Sequence, residues 1–89
     1  MTVAPQPEQI RQLVIRIFAE SGVAVRTLFD LHEALLVDDG RYVARSYRAA
    51  GLMAMWLIDI GIIQFYDEQG RMIRTINVFK ELKSQRIAA

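Results

Sequence analysis

Apolar residues first recur at Ile10, Leu13, Val14, Ile17 and Phe18, with Arg11, Arg16 and Glu20 on the opposite side. That i, i+3, i+4 spacing marks one face of a helix. Pro7 suits a first turn, where its missing N–H is not needed, and Ser21-Gly22 supplies a stop. The pattern therefore predicts a helix over 8–20, after a loose tail over 1–6. Thr27 followed by Asp30 resembles a capping box and opens a second predicted helix over 27–37, burying Leu28, Leu31 and Leu35. Asp38-Asp39-Gly40 reads as a turn whose carboxylates can cap a third helix.

That third helix is predicted over 41–60. At about 100° per residue, Val43, Tyr47, Ala50, Ala54 and Leu57 share one sector, and Arg41, Arg45 and Arg48 cluster opposite. Beyond Gly51 the apolar residues Leu52, Met55 and Trp56 continue along the arginine side, so this half needs cover on every face. Two β patterns follow over 62–66 and 71–78, joined by Asp67-Glu68-Gln69-Gly70. With Gly70 left-handed in a short loop, Phe65 faces Ile73, Ile63 faces Thr75 and Gln64 faces Arg74. Residues 79–89 read as a short helix or tail.

Composition changes this picture in two ways. At 89 residues the chain makes one domain, and 53% apolar residues is high for that size. A homodimer is therefore expected, because so small a domain cannot hide all of this surface. The net charge of +1 gives no general field toward nucleic acid or acidic membranes. The absence of cysteine excludes disulfides and thiolate chemistry and suits a cytoplasmic setting. The N-terminus has no basic start followed by an apolar run, so it does not read as a signal peptide. The apolar stretch 49–65 is short for a membrane span and carries Asp59, Gly61 and Gln64, which reads as buried protein rather than a membrane partner.

Catalytic chemistry finds few candidates. His32 is the one histidine, and His32-Glu33-Ala34-Leu35-Leu36 lacks the second histidine of a zinc-binding HExxH helix. Asp38-Asp39 is more simply a turn than an acid/base pair. Ser21, Ser46 and Ser84 lack nucleophile-elbow glycines, and Gly51, Gly61 and Gly70 do not form a phosphate loop. No enzyme activity, cofactor or metal is expected.

The order of elements from Glu8 to Val78, and above all WLIDIGIIQFYDEQGRMIRTI, resembles the winged helix-turn-helix superfamily. The resemblance implies an α+β fold: a three-helix winged-helix-like domain with a C-terminal β-hairpin and a short C-terminal helix or tail. It also implies a DNA-binding protein with the role of a transcriptional regulator, the arginines of the third helix reaching bases and phosphates. On that reading Arg41, Arg45, Ser46 and Arg48 face DNA, Arg71 and Arg74 touch phosphate from the hairpin, and Arg26 adds a contact. The alternative is a protein-interaction or homodimerisation module without DNA binding, centred on Leu52, Met55 and Trp56.

Overall fold

The computed structural model describes residues 6–24 and 31–82. The amphipathic spacing near the N-terminus forms α1 (Pro7–Glu20), opened by a capping box in which the Gln6 N–H donates to Gln9 Oε1 at 2.9 Å. Its buried residues are Ile10, Leu13, Val14, Ile17 and Phe18. Five strands follow, β1 (His32–Asp38), β2 (Arg41–Ala49), β3 (Leu52–Leu57), β4 (Ile62–Tyr66) and β5 (Met72–Asn77). They form one antiparallel sheet in the order β1-β2-β3-β4-β5, each strand paired with its neighbours in sequence. A second helix, α2, begins at residue 78 and continues to 82, where this described stretch ends.

The three-helix winged-helix-like domain expected from the sequence is thus corrected to a sheet layer under helices. The predicted third helix (41–60) is two strands and the turn between them. The second (27–37) is strand from His32 onward, and its residues 27–30 lie outside the described residues, as do 1–5 of the expected tail, Arg26, and 83–89. The cause is local. Asp39 and Gly40 both hold positive φ, 53° and 76°, which is the two-residue turn that matches the twist of an antiparallel pair. Ala50 and Gly51 repeat the geometry at 51° and 83°. A helix cannot pass through either pair, and the residues between, Tyr42 to Tyr47, include the β-branched and aromatic types that favour strands.

Ala50 occupies that left-handed conformation without the local side-chain hydrogen bonding that eases it for asparagine. The Ala50→Asn variant is expected to gain about 0.5–1 kcal/mol, read as a higher urea midpoint at unchanged slope.

The hairpin register also differs from expectation. Asp67 N–H donates to the Arg71 carbonyl at 2.9 Å, and Gly70 has φ 81°. Tyr66 pairs with Met72, but Phe65 pairs with Arg74, Gln64 with Thr75 and Ile63 with Ile76. Ile73 is therefore a bulge residue, and the one-residue slip brings Ile76 beside Ile63, both buried. Val43 is the corresponding extra residue on β2, since Leu36 pairs with Ala44 and Val37 with Tyr42.

The core lies between α1 and one sheet face. It joins the α1 stripe to Tyr47, Ala49, Ala54, Trp56, Ile63, Phe65, Ile76 and Val78. The Phe18 and Phe65 rings meet edge-on with centroids 6.0 Å apart. α2 sits beside α1 on this face: Leu82 packs on the same core, and Arg16 donates to Glu81 at 2.6 Å. No helix among the described residues is long and apolar enough to cross a membrane.

Candidate interaction face

Pairing and alternation assign every strand residue to one of two faces. The helix-covered face carries two full rows across the sheet, Glu33-Tyr47-Ala54-Phe65-Arg74 and Leu35-Arg45-Trp56-Ile63-Ile76. The opposite face carries three: His32-Arg48-Met53-Tyr66-Met72, Ala34-Ser46-Met55-Gln64-Thr75, and Leu36-Ala44-Leu57-Ile62-Asn77. An antiparallel sheet with one wet side normally sets polar residues there. Here the middle of the wet side is Ala34, Leu36, Ala44, Met53, Met55, Leu57 and Ile62, interrupted by the uncharged Ser46 and Gln64. Formal charge is confined to the strand ends, Asp38 and Arg41 at one and Arg48 at the other. No helix of the described residues lies over this face. Its central strands carry mostly half-buried side chains, with Ala44 buried, and its two edge strands carry exposed ones, Leu36 and Met72 among them.

At the end of this face a shallow open cleft of about 490 Å³ runs between the β2–β3 and β4–β5 turns, with His32, Arg48, Met53, Tyr66 and Glu68 in its lining. The Tyr66 hydroxyl is committed to Gln64 Oε1 at 2.9 Å, and Asp67 accepts from the backbone N–H groups of Gln69 and Arg71, both at 2.9 Å. The Arg71 backbone bond, followed by that from Gln69 and by the Arg71 guanidinium, holds the Asp67 carboxyl below its usual range.

The residues expected to read DNA do not form one surface. A period of two puts Arg45 on the helix-covered face and Ser46 and Arg48 on the open one. Arg45 lies 3.5 Å from Glu33, Arg41 3.7 Å from Asp59, Arg71 3.2 Å from Asp67, and Arg74 3.7 Å from Glu20. The cationic stripe was a property of a helix that the chain does not form. The apolar candidates divide as well. Trp56 is buried in the core and Leu52 packs against it, whereas Met55 faces outward. None of Leu36, Ala44, Leu57 and Ile62 is assigned to an interface from the sequence, which places Leu57 in an apolar helical sector. The signal for them is alternation by twos through 44–48 and 53–57, visible once Asp39-Gly40 and Ala50-Gly51 are read as turns.

Polar groups on the covered face form a second cluster. Glu33 bridges Arg11 of α1 at 3.3 Å and Arg45 of β2 at 3.5 Å, tying the edge strand to the helix. Tyr47 lies opposite Glu33, fully buried, and among the described residues its hydroxyl, Arg45 Nε and Trp56 Nε1 have no hydrogen-bond partner. Burial pushes the Tyr47 hydroxyl up to about 12, with Arg45 acting against that rise, Glu33 with it and Arg11 against it. The hydroxyl ionises near 10 in the unfolded chain, so its contribution is intact below pH 10 and is lost as pH climbs toward 12. Across that window the wild type is expected to lose on the order of 2 kcal/mol through this group. In urea titrations at successive pH values, Tyr47→Phe should lack that component and match or exceed wild-type stability at neutral pH.

Among the described residues, no group of three or more histidine or carboxylate side chains is placed to hold a metal ion. In comparisons with known proteins, no family model matches the chain, and no curated protein or solved structure is significantly similar to it.

Proposed function

We propose that this domain is a self-association module in which the open sheet face of one copy packs on that of another. The observation that carries the reading is the composition of the face: three rows across five strands whose middle has no charge. Apposing the middles of two such surfaces brings no like charges together, and their removal from water is favourable in proportion to apolar area. Five strands and three rows span roughly 24 by 20 Å. Side-chain relief raises the accessible area of that footprint toward the about 800 Å² per partner that a stable dimer buries. Sheets pack face to face in this way when their inner sides are apolar.

Sedimentation velocity tests the reading. A dimer is expected at micromolar concentration. Leu57→Lys, a half-buried position in the most apolar row, should raise the dissociation constant at least about 100-fold by placing two charges in the interface. Its folding stability, measured below that constant, should fall by no more than about 1 kcal/mol, since the Lys stem keeps much of the apolar contact and its ammonium reaches water. A wild-type chain that sediments as a monomer at about 100 μM would remove the reading.

A further inference from the structure

The sheet has two edges, and they are not alike. β5 is interrupted by the Ile73 bulge, carries Arg74 and runs directly into α2. A bulge of this kind blunts an edge against pairing; charge does not separate the two edges, since Glu33 of β1 lies in the same row as Arg74. β1 has neither lysine nor proline, and the irregularity beside it belongs to Val43 of β2, so β1 itself alternates regularly along its length. All seven of its residues are exposed, with Leu35 at 47%, Leu36 at 46% and Val37 at 58%. A long, regular edge with an apolar middle (34–37), whose outward N–H and C=O groups have no strand partner among the described residues, is a template for another strand.

We infer that β1 pairs antiparallel with β1 of a second copy, about a two-fold axis through Leu35. The register follows from side-chain placement. A centre between two residues would set covered-face side chains opposite open-face ones, which a pleated pair does not permit. Centres at Ala34 or Leu36 leave two of the seven residues unpaired. Centring on Leu35 pairs all seven: Leu35 with the partner's Leu35, Ala34 with the partner's Leu36, Glu33 with the partner's Val37, and His32 with the partner's Asp38. The end pair is complementary in hydrogen bonding, an imidazole N–H facing a carboxylate, and it occurs twice. The axis stands perpendicular to the sheet, so the product is one ten-stranded sheet with both open faces on the same side. Edge pairing deepens the self-association reading but rests on the outward backbone groups of β1 rather than on side chains of the open face, so either can stand without the other.

The chain has no cysteine, which makes a crosslinking test direct. Opposed residues of an antiparallel pair lie about 4.5–5.5 Å apart at Cα, within disulfide reach. Oxidised Leu35→Cys is expected to form a covalent dimer at least about tenfold faster than Ile60→Cys, an exposed control far along the chain, because pairing raises the local thiol concentration. Ala34→Cys and Leu36→Cys should stay monomeric separately and crosslink when mixed. Repeating Leu35→Cys in the Leu57→Lys background separates the two interfaces. A covalent dimer there, with face association lost, supports the edge independently of the face. Leu35→Cys that crosslinks no faster than Ile60→Cys overturns the edge pairing, even where the wild type sediments as a dimer. So does equal crosslinking of Ala34→Cys alone in the Leu57→Lys background, where face packing is removed.

Discussion

Trp56→Ala is expected to lower folding stability by about 3–5 kcal/mol, the cost of removing a large buried aromatic. The indole is 5% exposed and belongs to the cluster formed by the α1 stripe with Tyr47, Ile63 and Phe65. Its loss leaves a cavity beneath α1 that the paired strands cannot close by collapsing, because β2 and β4 hold β3 on both sides. Guanidinium denaturation checks this, with Trp56→Phe as a variant that keeps most of the apolar contact and should lose far less. The experiment also separates two roles for the residue. A surface anchor would weaken association while leaving the midpoint within about 0.5 kcal/mol of wild type. A core residue moves the midpoint first.

Gly61→Ala is the second large effect, at about 2–3 kcal/mol. Gly61 has φ 67°, where a Cβ costs about 1–2 kcal/mol. A Cβ there would also overlap the Phe79 ring of α2. The position is fixed from both directions, since the Gly61 N–H donates to the Leu57 carbonyl at 3.0 Å and its carbonyl accepts from Val78 at 2.8 Å. The two causes separate in a double variant. Gly61→Ala with Phe79→Ala removes the overlap and keeps the backbone strain, so the coupling measured against the single variants should equal the steric part alone. Additive losses would show that the ring swings aside freely and that strain accounts for the whole effect.

The helical stripe of α1 was legible because fourteen residues obey one period and the chain marks both ends. The hairpin of Ile62–Tyr66 and Met72–Asn77 was legible in outline from its turn residues, and its register was not. Nothing local marks Ile73 as a bulge: the slip is favoured because Ile76 gains a place in the core beside Ile63. The 41–60 segment was misread for a more instructive reason. Val43, Tyr47, Ala50, Ala54 and Leu57 satisfy a helical sector only when counted through Ala50-Gly51, and the same residues fall into alternation when the count stops there. Short apolar segments fit both periods, and the decision rests with the turns. Asp39-Gly40 is a strong hairpin signal. Read as a helix cap, it turned two strands into a rod and gathered three arginines into a stripe. The single arginine stripe rested on that helical count, because period determines which side chains share a face.

The neighbour-to-neighbour strand order has a kinetic consequence. Every strand pair closes a connection of a few residues, so little chain entropy opposes the zipping of β1 through β5. Docking α1 is different in kind, since Phe18 must find Phe65 across most of the chain. Substitutions inside the α1 stripe should therefore accelerate unfolding more than they retard refolding, whereas changes at the two-residue turns should act chiefly on the refolding limb of a chevron.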